Sequence, residues 1–503
     1  MAISTAISLE RRERVIGYEI NKGFFDVNPG VLPQVISIFA EANRANQGGL
    51  STIKREITSA QEAGEIYGFG SPIHSIMRIL RPSSGDGVGG IPTVVFPQES
   101  DENSSATSHS WTVDGSANRN ATHTFVIGGR RSVDFVNYSY SVSRNDTSDQ
   151  IAAKIGDSIN SVLSSPVEAV VDGSVITLTT KWNGATSAGL KTRVDNNGTD
   201  AGISYSQTSI VEGSGTVQLA PALSQFGSTW YTLNINSYGA SVLDELEAFN
   251  GTPEEKTGLF AARTFRPFIS FFGTTLDQRE DITAITDNSA RIEQVTNVHA
   301  PAPKSEGFGF EAAANACFLV AVVAQNTPAL DVNDMPYPDM PIPSDEVIGD
   351  MSDYNNRDFL LKRGSSTVIL ENGAYRVQSM VTTYHKQGED PLQYNYTRNL
   401  LIDYNIKDIR DILVKRNVID HVILEDDQST SVAKSVKPKQ WKGVLFEMYD
   451  NLAEDGLITD AQFSKDSLRV EISETNPNRF DEFHRYKRSG LVRISSATVE
   501  AGF

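Results

Sequence analysis

From about Ser83 to Gly227 the chain is rich in Ser, Thr, Asn, Asp and Gly, while hydrophobic segments on both sides of that stretch alternate between strand-like and helix-like periods. An alternation that stops and later resumes limits the fold more than any other feature, because segments far apart in the chain must then share one sheet. Before the break, residues 35–39 read as a buried strand. Helices follow over 58–66 and from Ser71, an N-cap with Pro72 at the first helical position, to about Leu80. After the break, 230–235, 267–272 and 291–298 read as strands, with helices over 242–249, 276–288 and 310–325. Elements of this length in this order predict a mainly parallel sheet with helices on both faces.

Within the break, 124–127, 133–136 and 174–179 read as short strands bounded by Gly-Gly and Asp-Gly turns. One amphipathic helix over 147–163 carries Ile151, Ile155, Ile159 and Val162 on one face. A proline-rich stretch over 335–343 predicts a stiff extended linker. Beyond it, Glu371-Asn372-Gly373 between two apolar runs is a hairpin signal, since Asn-Gly accepts the positive φ of a tight turn. Helices are expected over 394–415 and Pro438–Glu454, and a strand over 467–472.

A chain of 503 residues exceeds what one core usually supports. The expected fold class is α/β multidomain. A doubly wound α/β domain (23–92 and 229–345) carries an inserted mostly-β domain (93–228), followed by an α+β C-terminal domain (346–483). Extended strand arms occupy both ends, 1–22 and 484–503. In the first arm Val15, Ile16, Tyr18 and Ile20, and in the second Leu491, Val492, Ile494 and Val499, are apolar residues without an obvious home in one core. They suit pairing with an exposed sheet edge on another copy.

Chemistry is hard to find. A net charge of −19 argues against wrapping nucleic acid or lying on an anionic membrane. Cys317, the single cysteine, excludes an internal disulfide and a cysteine metal cage, and reads as a small buried hydrophobe. The N-terminus lacks the basic-then-apolar order of a signal peptide, and the longest apolar run is far short of the ~20 residues that span a bilayer. A chain made in a cytoplasm and soluble until it assembles is the expectation. Gly68-Phe69-Gly70 lacks the third glycine of a nucleotide loop, and Asp331-Val-Asn333 lacks the third ligand and the glycine of a calcium loop. Seven scattered histidines show no metal-helix spacing, and no Gly-x-Ser-x-Gly elbow is present. No catalytic residue, metal or cofactor is expected.

In collinear order the chain resembles the contractile tail sheath family, most closely the branch of phage Mu and Mu-like prophages. The resemblance is carried by Arg14-Val-Ile-Gly-Tyr-Glu-Ile-Asn21, Glu62-Ala-Gly-Glu-Ile-Tyr-Gly-Phe-Gly-Ser-Pro-Ile73, Phe125-Val-Ile-Gly-Gly129, Ile151-Ala-Ala153 and Pro166-Val-Glu-Ala169. Toward the end come Gly373-Ala-Tyr-Arg-Val-Gln-Ser-Met-Val-Thr-Thr-Tyr384 and Asn476-Pro-Asn-Arg-Phe-Asp481. The resemblance implies a structural subunit of the virion tail, assembled in the host cytoplasm, that polymerises helically with itself around a tail tube and contracts to drive the tube through an envelope. Baseplate and tail terminator proteins would be its further partners. It also implies that the termini reach into neighbouring subunits, with an acceptor in the C-terminal domain, the sheet containing Arg376 to Thr382, and that an element of this domain faces the tube. The tube-facing candidates are Lys437, Lys439 and Lys442, a basic cluster at the head of an amphipathic helix. The alternatives are a related contractile sheath of pyocin or secretion type, or a phage glycan-binding or glycan-cleaving protein. A pocket of convergent carboxylates and aromatics would favour the last.

Overall fold

The computed structural model describes residues 30–389 and 392–500. Its centre is a six-stranded sheet ordered Asn297–Pro301, Ile269–Thr274, Leu233–Asn236, Ile36–Glu41, Thr93–Gln98, Arg55–Glu56. All neighbours are parallel except the short Arg55–Glu56 edge. Ile36–Glu41, Leu233–Asn236 and Asn297–Pro301 are buried at every position, as expected of strands covered on both faces. Ile36, Ile38 and Ala40 point into one core with the Pro72–Leu80 and Gly309–Asn326 helices. Phe39 and Phe96 point into a second, with Leu223, Phe226, Leu246 and Phe268.

Polar residues inside this sheet fix its register. Ser37, Asn234, Ser270 and Asn297 are directly opposite one another across four strands. Asn234 Nδ2 donates to Ser37 Oγ at 3.0 Å, and Ser270 Oγ donates to Asn234 Oδ1 at 2.8 Å. Asn297 donates onward to Glu247, whose carboxylate also meets Arg291 at 3.1 Å. A slip of one residue would bury these groups unpaired.

Residues expected in the insert as 93–228 divide differently. Thr93–Gln98 lies in the central sheet beside Ile36–Glu41, because its apolar face completes the Phe39 core. The chain then leaves and returns at one point, where Ser105 N donates to Ser214 O at 2.8 Å and Ser214 N to Ser105 O at 3.2 Å. Between these residues stand a four-stranded antiparallel sheet and a three-stranded one. The Ser148–Asn160 helix packs on them through Ile151, Ile155 and Ile159, behind a capping box between Thr147 and Gln150. This region is tied to the α/β body. Arg130 donates to both Glu311 oxygens at 2.9 and 3.0 Å, and buried Trp182 packs on Phe308 and Phe310.

The Asn372–Gly373 hairpin forms as expected, pairing Thr367–Glu371 with Ala374–Ser379. The proline-rich stretch is not a free spacer. Its backbone pairs with the hairpin, Tyr337 N donating to Tyr375 O at 2.8 Å and Val377 N to Met335 O at 3.1 Å. The residues between its prolines keep donors and acceptors that need partners once buried. The Thr397–Asn417 and Pro438–Glu454 helices then enclose a separate core of Ile402, Ile406, Trp441, Leu445, Met448 and Leu452. The expected 467–472 strand begins later, at Arg469–Ile472, after the short Ala461–Ser467 helix.

One close approach sets how tightly helix and sheet pack. A Cβ on Gly273 would fall inside van der Waals distance of the Gly309 carbonyl oxygen and 2.8 Å from Ala313 N, all backbone atoms that cannot step aside. Gly273→Ala is therefore expected to lower unfolding stability by about 3 kcal/mol, measurable by denaturant titration.

Candidate functional site: the C-terminal arm and the basic helix

Of the residues singled out in the sequence, Val15, Ile16, Tyr18 and Ile20 lie outside the described residues. The C-terminal arm is described to residue 500 and begins later than expected. Lys487–Arg488 pairs with Ile458–Thr459, and Tyr449 and Glu482 hold His484, so 484–488 pack on their own subunit. From Ser489 to residue 500, the last described, no helix or strand forms.

An extended chain alternates its side chains, which places Arg493 opposite Val492 and Ile494. Val492 and Ile494 are each 87% exposed and Val499 is 85% exposed, whereas Leu491 is only partly so. Arg493 turns inward. Its guanidinium pairs with the buried Asp331 carboxylate, donates to Asn333 Oδ1 and Ser379 Oγ at 3.2 Å each, and stacks 4.0 Å over the Tyr396 ring. Arg398 holds the preceding turn, donating to Ser489 O at 2.7 Å and Ser489 Oγ at 2.6 Å. The arm is thus fixed at its root and free along an apolar edge. Arg398, Arg493, Asp331 and Tyr396 were missed in the sequence; the signal was a lone arginine out of phase with its apolar neighbours.

Of the two strands in the sheet named as acceptor, one is already covered on its outer side. Ala374–Ser379 is covered on its outer side by Met335 and Tyr337, and Thr382 N donates to Asn395 O at 2.7 Å. The other hairpin strand, Thr367–Glu371, has no paired strand on its outer edge among the described residues.

Lys437, Lys439 and Lys442 stand together at the start of the Pro438–Glu454 helix. Asp426 completes that end, accepting from Lys439 N at 2.8 Å, while Lys437 Nζ donates to Asp426 O at 3.2 Å. Lys442 lies 5.5 Å over the Phe446 ring. The helix's apolar face, Trp441, Leu445, Met448 and Leu452, is buried within the chain, so only the lysine side is free to meet a partner. Glu482 anchors the buried face. Burial would raise its pKa, but His484, Arg410 and Trp441 around the carboxylate hold it down to about 2.

Past the carboxyl end of the strand at the switch in strand order, where such folds usually bind ligands, a cleft of ≈460 Å³ is lined by Asn43, Arg44, Gly68, Phe69, Glu168 and Lys181. That strand ends at Glu41, and Thr186 from the insert covers it, Oγ1 donating to Glu41 Oε2 at 2.7 Å. Trp182 Nε1 donates in turn to Thr186 Oγ1 at 3.0 Å. Gly68-Phe69-Gly70 is a helix-to-helix turn, with φ of +94° and +83° at the two glycines. Among the described residues no three His, Cys, Asp or Glu side chains are grouped to hold a metal ion. A cleft of ≈520 Å³ in the insert brings Trp111, His123, Asp195 and Tyr205 together. Its polar atoms are spent internally: Trp111 Nε1 donates to Thr192 Oγ1 at 3.0 Å, and His123 lies 2.7 Å from Tyr205 OH and 3.0 Å from Thr199 O.

No family model matches the chain. The Mu-like prophage FluMu tail sheath protein of Haemophilus influenzae is 22% identical over 454 residues, covering 88% of each chain. Solved structures with some likeness are the sheath tail proteins of Desulfitobacterium hafniense and Listeria innocua. The first is 10% identical with TM-score 0.43, covering 94% of this chain and 100% of that one. The second is 10% identical with TM-score 0.46, covering 92% and 94%. The contracted helical sheath of the anti-feeding prophage is 9% identical with TM-score 0.42, covering 97% and 99%.

Burial pushes the Glu41 carboxyl from its ordinary 4.5 up to about 8, against the hydrogen bond from Thr186. The folded chain keeps a proton there that the unfolded chain loses near pH 4.5, so stability falls as pH rises from there to about 8. Glu41→Gln is expected to flatten that part of the curve and raise the melting temperature at pH 8, as a thermal-melt series from pH 5 to 9 would show.

Proposed function

We propose that this chain is the structural subunit of a contractile tail sheath, polymerising helically around a tail tube and contracting to drive it through a host envelope. The collinear similarity to a Mu-like prophage tail sheath protein over 88% of both chains carries this reading. A sheath grows through heterologous contacts, in which one patch meets a different patch on the next copy, so the array extends rather than closing. The extended array is a kinetically trapped state, and contraction repacks rigid subunits without nucleotide. A gain of only ~100 Å² of apolar burial per subunit is worth roughly 2.5 kcal/mol, which many subunits multiply.

The division of labour proposed for the chain has four parts. The α/β body and its insert form the outer shell, and the C-terminal region lies inward. The two arms, 1–22 and the residues after Ser489, connect neighbouring copies. Val492, Ile494 and Val499 support this role because they present an unpartnered apolar edge from a fixed root. The unpaired Thr367–Glu371 edge is the acceptor that best suits them, since strand addition needs free backbone groups. Lys437, Lys439 and Lys442 face the tube, where the basic cluster of an acidic chain meets acidic surface. Tail tube, baseplate and tail terminator proteins are the partners, the virion tail is the location, and assembly takes place in the host cytoplasm.

Removing residues 1–20, or ending the chain after Gly490, should leave a folded monomer that no longer forms sheaths; normal sheath length by electron microscopy after either change would contradict the arm assignment. Changing Lys437, Lys439 and Lys442 together to glutamate should weaken assembly on purified tubes at low salt while leaving circular dichroism unchanged. Undiminished sheathing would place the tube contact elsewhere.

A further inference from the structure

Ser132–Val133 and Val136–Asn137 form a small hairpin closed by Asp134 and Phe135. Both turn residues have positive φ, 48° and 66°. Turns of this kind favour Asn-Gly, because the left-handed backbone crowds a Cβ and is least tolerated by bulky side chains. Here the second position is a phenylalanine, and its ring is 93% exposed, more than any other large apolar side chain among the described residues.

The tip is not loose. The Asp134 carboxylate accepts from Arg78 Nε at 2.8 Å, on the Pro72–Leu80 helix, and from the Ser164 hydroxyl beyond the insert's helix. Leu163, next to Ser164, is itself 63% exposed. A strained backbone that holds an aromatic ring rigidly in water points to something the ring meets.

A matching hollow exists elsewhere on the same chain. A cavity of ≈330 Å³ is lined by Phe260, Phe265, Tyr404 and Met448, with Asp403, Lys407 and Arg410 also in its wall. An apolar cavity of roughly 150 Å³ accepts benzene, so this one holds a phenyl ring with room for flanking chain. Ring and hollow are different patches, and their union between copies is a heterologous contact that propagates without closing. We infer that Phe135 of one copy inserts into the Phe260–Tyr404 cavity of a second copy of this chain. The inference rests on the sheath reading and gives it a specific lattice contact.

The test uses the full chain. Phe135→Ala should raise the critical concentration for polymerisation roughly 30- to 100-fold, the effect of leaving one aromatic side chain unburied. Phe135→Gly should do the same while raising the monomer's melting temperature, because it relieves the turn. Cys317 is buried, so a Phe135→Cys chain mixed with a Pro253→Cys chain reports the contact against a silent background, Pro253 also lining the cavity. A short bismaleimide should link the two chains in polymers formed at raised concentration. Polymerisation of Phe135→Ala at the wild-type concentration, or polymers in which the mixed pair does not link, would overturn the contact. Failure of the wild-type chain to polymerise at all would instead remove the sheath reading, and this contact with it.

Discussion

The polar row across the sheet, in which Ser37, Asn234 and Ser270 are hydrogen-bonded and Asn297, next in register, donates to Glu247, is the constraint on which the rest depends. The sheet it crosses is assembled from segments separated by the insert, so local chain connectivity cannot set its register. Apolar strands buried on both faces could slide by two residues at little cost, but the polar row pairs in one alignment. With register fixed, Gly273 comes against Gly309, the Ala-rich helix seats on the sheet, and Glu311 is placed to receive Arg130 from the insert.

This rigidity bears on function. On the proposed reading a subunit that transmits contraction must move as a body, and the insert is locked to the α/β sheet through Trp182, Arg130 and Thr186. The Thr186 contact covers the end of the Ile36–Glu41 strand at Glu41, beside the ≈460 Å³ cleft lined by Asn43, Gly68 and Lys181. What is left free lies at the margins: an apolar arm after Ser489, an unpaired strand edge and a helix end bearing three lysines.

Much of this was legible in residues whose chemistry is local. Ser71 caps the Pro72–Leu80 helix by accepting from His74 N, as Ser-Pro at a helix start implies. Asn372-Gly373 makes its hairpin, and Pro438 opens its helix. Thr93–Gln98 was placed in the insert because the change in composition begins before it, near Ser83; it also carries Pro97, unusual in a central strand. The structure accommodates it because Arg55–Glu56 pairs only with Val94 and Val95, so Pro97 has no neighbour on that side to satisfy. The proline-rich stretch could be read as extended but its pairing could not, because its partner strand, Ala374–Ser379, lies some 40 residues away in the chain. At the root of the arm only Arg493, out of phase with its apolar neighbours, left a sign in the sequence; Asp331 and Arg398 meet it only in three dimensions.

The central claim is that this chain forms a helical array joined through its arms. A cryo-electron microscopy map of the polymerised protein tests it most directly. The account predicts a tube of stacked copies in which the residues after Ser489 run as a strand along Thr367–Glu371 of a neighbouring copy. A map in which that segment folds back onto its own subunit, or a sample that stays monomeric, would contradict it.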